Sequence, residues 1–279
     1  MSNWKYRRPN VTYLSGGSSG IGLGFAHALI EAGSSIAIFD LQIADDVLVR
    51  LQQACTANGQ SVAFYPVDVT DPIALDAVMA EAHARQGPAD LAFNCAGLMR
   101  NAVFTELSFE TFQLVINVNL IGSRNFAASA LKHLSPQGHL VFMASLAGIV
   151  GSYTQSAYAA SKFGVVGLAE VLRAEQKLQG IDVSVVCPGE IQTPLLDYER
   201  LHGSPVTRSL NAVAGVLTVD QAVAGILHGI QRRQFMITPG FKAKLIRAMG
   251  RKCTSLQRWI VDRNLAKGMG ATVAPDSLP

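Results

Sequence analysis

Charge is scarce in this chain of 279 residues. Asp, Glu, Lys and Arg supply only 15% of positions, against 49% hydrophobic. That balance excludes an intrinsically disordered chain and fits one that buries a sizeable core. Cysteine is sparse too. Cys55, Cys95, Cys187 and Cys253 are widely separated, with none of the paired spacings that hold zinc or form a redox motif. They read as reduced, mostly buried thiols, and no metal site is expected. Long apolar runs are also missing. The longest nearly uncharged stretch, Leu140 to Val150, contains Ser145 and Gly148 and is too short to cross a bilayer, so no transmembrane helix is expected. Lys5, Arg7 and Arg8 precede a short apolar run that ends in a Ser-Gly cluster, which does not read as a signal peptide. A cytoplasmic location follows as the expectation.

What is present is an alternation of short β-branched or apolar runs with longer amphipathic ones, the pattern of βα units around a parallel sheet. Strands are expected at Val11–Leu14, Ser35–Phe39, Ser61–Val67, Leu91–Phe93, His139–Ala144, Asp182–Cys187 and Phe235–Ile237. Helices are expected at Gly20–Ala32, Ile43–Asn58, Pro72–Gln86, Phe109–His133, Ala157–Gln179 and Val219–Gln231, with Asp71 and Thr218 as N-caps. The fold class is therefore α/β: a doubly wound, seven-stranded parallel sheet with helices on both faces, forming one domain over residues 1–240. A substrate lid is expected at about 192–217, and residues 241–279 read as a basic extension.

The first strand runs into Ser15-Gly16-Gly17-Ser18-Ser19-Gly20-Ile21-Gly22, and a helix follows. Gly16 permits a tight turn, Gly20 lets backbone N–H groups approach a pyrophosphate, and Gly22 allows close helix–strand packing. Asp40 lies eighteen residues beyond Gly22, at the end of the second strand. A carboxylate there accepts hydrogen bonds from both hydroxyls of an adenosine ribose and repels a 2′-phosphate. No Arg or Lys occupies the turn or the positions just after Asp40, so NAD is expected over NADP. An N-cap role for Asp40, at the helix starting near Ile43, is compatible with the first.

Tyr158 and Lys162 stand four residues apart in a helical segment, on one face. A phenol releases its proton only near pH ~10 in water, and a neighbouring cation favours the phenolate, so Lys162 is expected to bring Tyr158 toward working pH. Of the six tyrosines, only Tyr158 has a Lys at that spacing.

With these residues the sequence resembles the short-chain dehydrogenase/reductase family over roughly residues 9 to 238. Further matches fall in order: Asp68-Val69 is similar to that family's adenine-contacting pair, and Asn94-Cys95-Ala96-Gly97 to its Asn-Asn-Ala-Gly turn, with Cys95 in place of the second Asn. Asn119 matches the helix Asn that holds a relay water. Ser145, thirteen residues before Tyr158, matches the catalytic Ser, and Pro188-Gly189-Glu190-Ile191-Gln192-Thr193 resembles the nicotinamide-contacting segment. Ser15 replaces the usual Thr. The resemblance implies a catalytic set of Asn119, Ser145, Tyr158 and Lys162, with Tyr158 as general acid/base in hydride transfer with NAD. Tyr158 and Lys162 would also contact the cofactor. It also implies a homodimer or homotetramer through the helices containing Asn119 and Tyr158. The alternatives are a non-catalytic nucleotide-binding regulator and an epimerase or lyase with retained NAD.

Loop positions expected to face substrate are Leu98, Met99, Ala147, Ile149, Val150, Tyr153, Gln155, Leu195 and Leu196, mostly apolar, with Arg100 as the nearest cation. The expected substrate is a hydrophobic secondary alcohol or ketone of steroid, terpenoid or long-chain lipid type. Net charge is +3, yet the segment from Arg232 to Lys267 carries +9 and leaves −6 for the rest. Apolar residues recur there at helical spacing (Phe241, Leu245, Met249, Cys253, Leu256, Ile260) beside Trp259. Such a helix could lie peripherally on an anionic membrane, or pack on its own domain or on a partner subunit. One amphipathic helix supports nucleic-acid binding poorly, and none is expected.

Overall fold

The computed structural model describes residues 4–204, 207–208, 215–255, 258–259 and 261–263. The first half comprises β1 (Val11–Ser15), α1 (Gly20–Glu31), β2 (Ser35–Asp40), α2 (Asp45–Gln53), β3 (Val62–Pro66), α3 (Pro72–Gln86), β4 (Ala89–Asn94), α4 (Phe109–Ile116), α5 (Gly122–Ala130) and β5 (Leu134–Met143). The second half comprises α6 (Ser156–Gln176), β6 (Asp182–Val186), β7 (Glu190–Ile191), α7 (Pro194–His202), β8 (Val216–Leu217), α8 (Val219–Gln231), β9 (Met236–Ile237) and α9 (Phe241–Lys252).

Seven strands form one parallel sheet in the order β3-β2-β1-β4-β5-β6-β9. The short β7 and β8 pair separately. Alternate residues of each strand point to opposite faces. Tyr13, Phe39, Leu140 and Phe142 therefore enter a core with α3, α5 and α6, while Leu14, Ile36, Ile38 and Val141 enter another beneath α1 and α8. Every residue of β4 is buried, as a central parallel strand requires. Strand order reverses between β1 and β4, and a ligand crevice opens at the carboxyl ends of such a pair.

Local signals explain several boundaries. The Asp71 carboxylate accepts from the N–H groups of Ile73 and Ala74 at 2.9 and 3.0 Å. Thr218 and Gln221 form a reciprocal capping box at the start of α8. Elsewhere the expected boundaries move. The helix expected over Ile43–Asn58 is confined to Asp45–Gln53, because Gln60 Oε1 captures the N–H groups of Thr56 and Ala57. Asp40 does not cap it; Ala44 stands at that position. The single helix expected over Phe109–His133 is divided by a π turn at Asn117–Ile121. Strand β5 starts earlier than expected, at Leu134, and its pairing with β4 shifts register between Ala89 and Leu91. That irregularity lies beside the Pro136-Gln137-Gly138 segment, where Gln137 has φ 62°.

Two further elements were not anticipated. Pro194 and Thr193 start α7 inside the stretch read as a lid, and β8 returns to pair with β7. The remainder of that lid, apart from the residues just named, lies largely outside the described residues. Leu256, Ile260 and Lys267 of the basic tail also lie outside them.

Candidate active site

The glycine turn joins β1 to α1. Gly16 has φ +66°, and a Cβ there would stand 2.6 Å from Ala96 N. A Cβ on Gly22 would stand 1.9 Å from the Gly16 carbonyl oxygen, so only glycine lets the helix close on the turn. Ser19, the N-cap of α1, makes no side-chain cap. The first N–H groups of that helix are thus oriented for an anion. Asp40 Oδ2 accepts from Ser18 N at 3.1 Å and from Ser18 Oγ at 2.5 Å, which holds the carboxylate beside the turn.

Beneath the turn lies a hydroxyl and amide network. Ser15 Oγ donates to Asn94 Oδ1 at 2.7 Å and accepts from the N–H groups of Cys95 and Ala96. Asn94 Nδ2 donates to Ser123 Oγ, and Asn94 is buried. Ser15 and Asn94 thereby fix the Cys95-Ala96-Gly97 backbone against Gly16. Burial pushes the Cys95 thiol up to about 12, which keeps it protonated. Cys187 is buried and Cys55 partly so, but Cys253 departs from expectation and is exposed. Asp68 bonds the N–H of Thr70, and the Val69 carbonyl accepts from Asn125 at 3.0 Å.

The π turn places Asn119 across the Gly97-Leu98 loop. Its Oδ1 accepts from Leu98 N at 2.8 Å, and its Nδ2 donates to Leu98 O at 2.9 Å and to Ser161 Oγ at 3.0 Å. These bonds make the Asn119 side chain a brace between α6 and the loop. A Cβ on Gly97 would lie 3.1 Å from Asn119 Oδ1 and 3.4 Å from Lys162 Nζ, so that glycine keeps space in front of both.

Tyr158 and Lys162 are buried on one face of α6. Lys162 Nζ donates to the Met143 carbonyl at 2.9 Å. Burial pushes the Lys162 pKa down to about 8. Burial also pushes Tyr158 up to about 12, and it is a hydrogen bond from Ser145, not the neighbouring lysine, that opposes this rise. Ser145 Oγ accepts from Ala147 N at 3.1 Å, which leaves its proton free to donate to Tyr158.

These groups open onto one cavity of about 980 Å³. Its wall includes Ser19, Gly20 and Ile21 from the turn, Gly97, the trio Ser145, Tyr158 and Lys162, and Pro188, Gly189, Ile191 and Thr193. Gly16, Ser18, Gly22, Asp40, Asp68, Val69, Asn94, Ala96 and Asn119 lie outside that wall. Of the residues expected to face substrate, Leu98, Met99, Arg100, Ala147, Val150, Gln155, Leu195 and Leu196 do line it. Ile149 and Tyr153 do not: Ile149 packs on the α6 core, and the Tyr153 carbonyl accepts from Thr207.

Sequence reasoning found Leu195 and Leu196 of α7 but missed the rest of that helix and the contribution of α9. Tyr198 and Glu199 of α7, and Lys242, Leu245, Ile246 and Met249 of α9, complete the wall. The expected apolar stripe on α9 is rotated. Ala243 and Gly250 are the buried positions, and a Cβ on Gly250 would meet Val150 at 2.7 Å, while Phe241 is 82% exposed. Arg247 donates to the Met236 carbonyl at 2.9 Å and pins the helix to β9. The small residues Ala243 and Gly250, seven apart and so on one helix face, were the available signal. Among the described residues no group of three His, Cys, Asp or Glu is placed to hold a metal, and no helix is long and apolar enough to cross a membrane.

Residues 10–202 match the model of the short chain dehydrogenase family. A 3-ketodihydrosphingosine reductase of Cryptococcus neoformans is 30% identical over 261 residues, covering 88% of this chain and 77% of that one. A 3-hydroxyacyl-CoA dehydrogenase type-2 of Bos taurus is 34% identical over 200 residues, covering 67% of this chain and 75% of that one. The crystal structure of a short chain dehydrogenase/reductase from Burkholderia phymatum in complex with NAD shares the fold, with TM-score 0.73 and 23% identity over 96% of this chain and 98% of that one. Sheet order, the Ser, Tyr and Lys trio and the family match agree: this chain belongs to the short chain dehydrogenases, a family of Rossmann-type oxidoreductases.

Proposed function

We propose that the protein interconverts a hydrophobic secondary alcohol and its ketone with NAD(H). The observation that carries this reading is the single cavity into which the glycine turn, Ser145, Tyr158 and Lys162 all open, with a wall otherwise dominated by Met99, Val150, Leu195, Leu196, Ile246 and Met249. When bound, the nicotinamide supplies the hydride acceptor or donor. Tyr158 Oη holds or releases the proton of the substrate oxygen, and Ser145 donates to that oxygen and fixes its distance from Tyr158. Lys162 offers a donor from the cavity wall, suited to a ribose hydroxyl.

The residues fit NAD. Asp40 is anchored by Ser18 at the carboxyl end of β2 and presents negative charge where a 2′-phosphate would lie. A long-chain substrate is favoured by the cavity volume and by relatives whose names specify ketodihydrosphingosine and hydroxyacyl compounds. Exposed Phe109, Leu114, Phe163 and Val171 on α4 and α6 support assembly of copies of this chain through those helices. Exposed Phe241 and Leu245 beside Lys242 and Lys244 support peripheral contact of α9 with an anionic lipid surface, next to the cavity mouth.

The test follows NADH absorbance at neutral pH with long-chain ketones, using NADH and NADPH side by side. Turnover with NADH preferred supports the reading. Nucleotide binding without turnover on any hydrophobic ketone or alcohol would favour the regulator alternative.

A further inference from the structure

Glu199 is the one acidic side chain of the cavity wall whose carboxyl oxygens both lack a hydrogen-bond partner among the described residues, and it is only 2% exposed. Burying a carboxyl without partners is unfavourable, and such a group persists where something else engages it. Its neighbours point the same way. A Cβ on Gly203 would lie 2.9 Å from Glu199 Oε1 and 3.2 Å from Asn101 Nδ2, so the carboxyl and the amide face one small space. The Asn101 amide is also buried, and neither its nitrogen nor its oxygen is bonded. Arg100, a cation of the same wall, is engaged elsewhere: it donates to the Met99 carbonyl at 2.8 Å and its guanidinium stacks 4.8 Å from the Tyr198 ring centre. Arg200 and Arg208 act on Glu199 at a distance, but neither forms an ion pair with it among the described residues.

Position along α7 sets the ligand geometry. Leu195 packs into the cluster around Tyr158. Glu199 follows it by four residues, on the same helix face and about 6 Å further along the axis. Its carboxyl therefore stands about one helical turn past the residue that packs beside the reacting group, while the apolar wall continues toward α9.

We propose that Glu199 is the binding subsite for a protonated amine located close to the substrate carbonyl, so that the ligand is a long-chain amino ketone or its amino alcohol. This rests on the reading of the cavity as a substrate site. An ammonium supplies what the site lacks: donors for both carboxylate oxygens, with a charge that offsets the desolvation of Glu199. Glu190 in the same wall adds negative potential that a cation relieves and a plain hydroxyl does not.

The test is calorimetric titration of the full-length protein with a long-chain vicinal amino alcohol and with the same alcohol lacking its amine. Wild type is expected to bind the amine roughly tenfold or more tightly, the worth of one charge-assisted hydrogen bond. In Glu199→Gln the ratio of the two affinities should fall toward one. Glu199→Asp, which keeps the charge, should retain part of the preference. Equal affinities in wild type, or an unchanged ratio in Glu199→Gln, would overturn the proposal and assign the space to a water joining Glu199 to Asn101. The wild-type ratio decides even if a variant fails to fold. Because binding is read without turnover, failure of NADH oxidation with both parent ketones would defeat the functional reading separately from the subsite.

Discussion

Lys162 Nζ lies 5.6 Å from the centre of the Tyr158 ring while donating to the Met143 carbonyl, so the cation rests near the phenol ring and is already engaged elsewhere. Four residues of helix bring the two together, but burial sets their protonation. Tyr158 is driven toward about 12 and Lys162 toward about 8, and both shifts favour the neutral forms. A phenol held neutral next to a serine donor is set up as a proton donor to a ketone oxygen.

Removing the phenolic oxygen tests that role. Tyr158→Phe keeps the ring and its packing against Met99 and Ala157. We expect kcat to fall about 10²- to 10⁴-fold, the usual worth of a positioned general acid, while NADH binding measured by fluorescence persists. Full activity in this variant would remove Tyr158 from the chemistry.

Lys162 gives a pH dependence of stability with a definite sign. Its folded pKa, about 8, is below the unfolded value near 10.5, so the unfolded chain binds more protons between those limits. Stability of the cofactor-free protein should therefore rise with pH from about 8 to about 10.5. Below about 8 the buried charge costs on the order of 3 kcal/mol. Urea melts of Lys162→Met should show greater stability than wild type at pH ~7 and a smaller difference near pH ~10, where linkage removes the penalty. A wild-type midpoint that does not move with pH relative to this variant would contradict the assignment.

Two glycines make a paired test of the turn. Gly22→Ala forces a methyl to within 1.9 Å of the Gly16 carbonyl and should destabilise by about 3 kcal/mol with loss of nucleotide affinity. Gly167→Ala, inside α6 with nothing within 4 Å of the new methyl, should instead stabilise by about 1 kcal/mol. Thermal melts with and without NADH distinguish them. Comparable losses in both variants would show that helix context, not the Gly16 contact, controls the turn.

The strands of the parallel sheet, the glycine turn and the Tyr158 spacing were legible because each depends on local chemistry: short apolar runs, positive φ and a four-residue helix step. Of the walls, Leu195 and Leu196 of α7 were legible, but Tyr198, Glu199 and α9 were not. Glu199 reads in sequence as one charge among Asp197, Arg200 and His202, and only its placement opposite Asn101 shows that it is buried. The α9 stripe misled because apolar Phe241 and Leu245 follow helical period, whereas the buried positions are Ala243 and Gly250, the latter in close approach to Val150. The expectation that Lys162 lowers the Tyr158 pKa rested on spacing alone; burial, which spacing does not show, raises it, and the opposing influence is the hydrogen bond from Ser145.

Asp40 predicts a cofactor switch. Asp40→Ala removes the carboxylate that Ser18 and Leu41 hold in place, losing acceptors for the ribose hydroxyls and the repulsion of a 2′-phosphate. The ratio of kcat/KM for NADH over NADPH should fall roughly tenfold to a hundredfold, on the scale of one or two hydrogen bonds to a charged group. A wild-type preference for NADPH would refute the role given to Asp40.

The exposed side of α9 predicts a lipid dependence. Phe241 is 82% and Leu245 54% exposed, Lys242 and Lys244 flank them, and Trp259 further along is 41% exposed. Burying the first two side chains in an interface is worth roughly 3–5 kcal/mol, and each lysine near an anionic surface adds about 1 kcal/mol. The protein should therefore co-sediment with phosphatidylserine-containing vesicles, less with neutral phosphatidylcholine ones, and less again in high salt. Phe241→Ser should reduce partitioning about tenfold or more, since the change removes burial worth more than a factor of ten in affinity. Phe241 stands outside the cavity wall and outside the Ser145, Tyr158 and Lys162 trio, so activity on a short soluble ketone separates a membrane defect from a folding defect. Equal partitioning to both vesicle types, or none, would leave α9 as cavity wall alone.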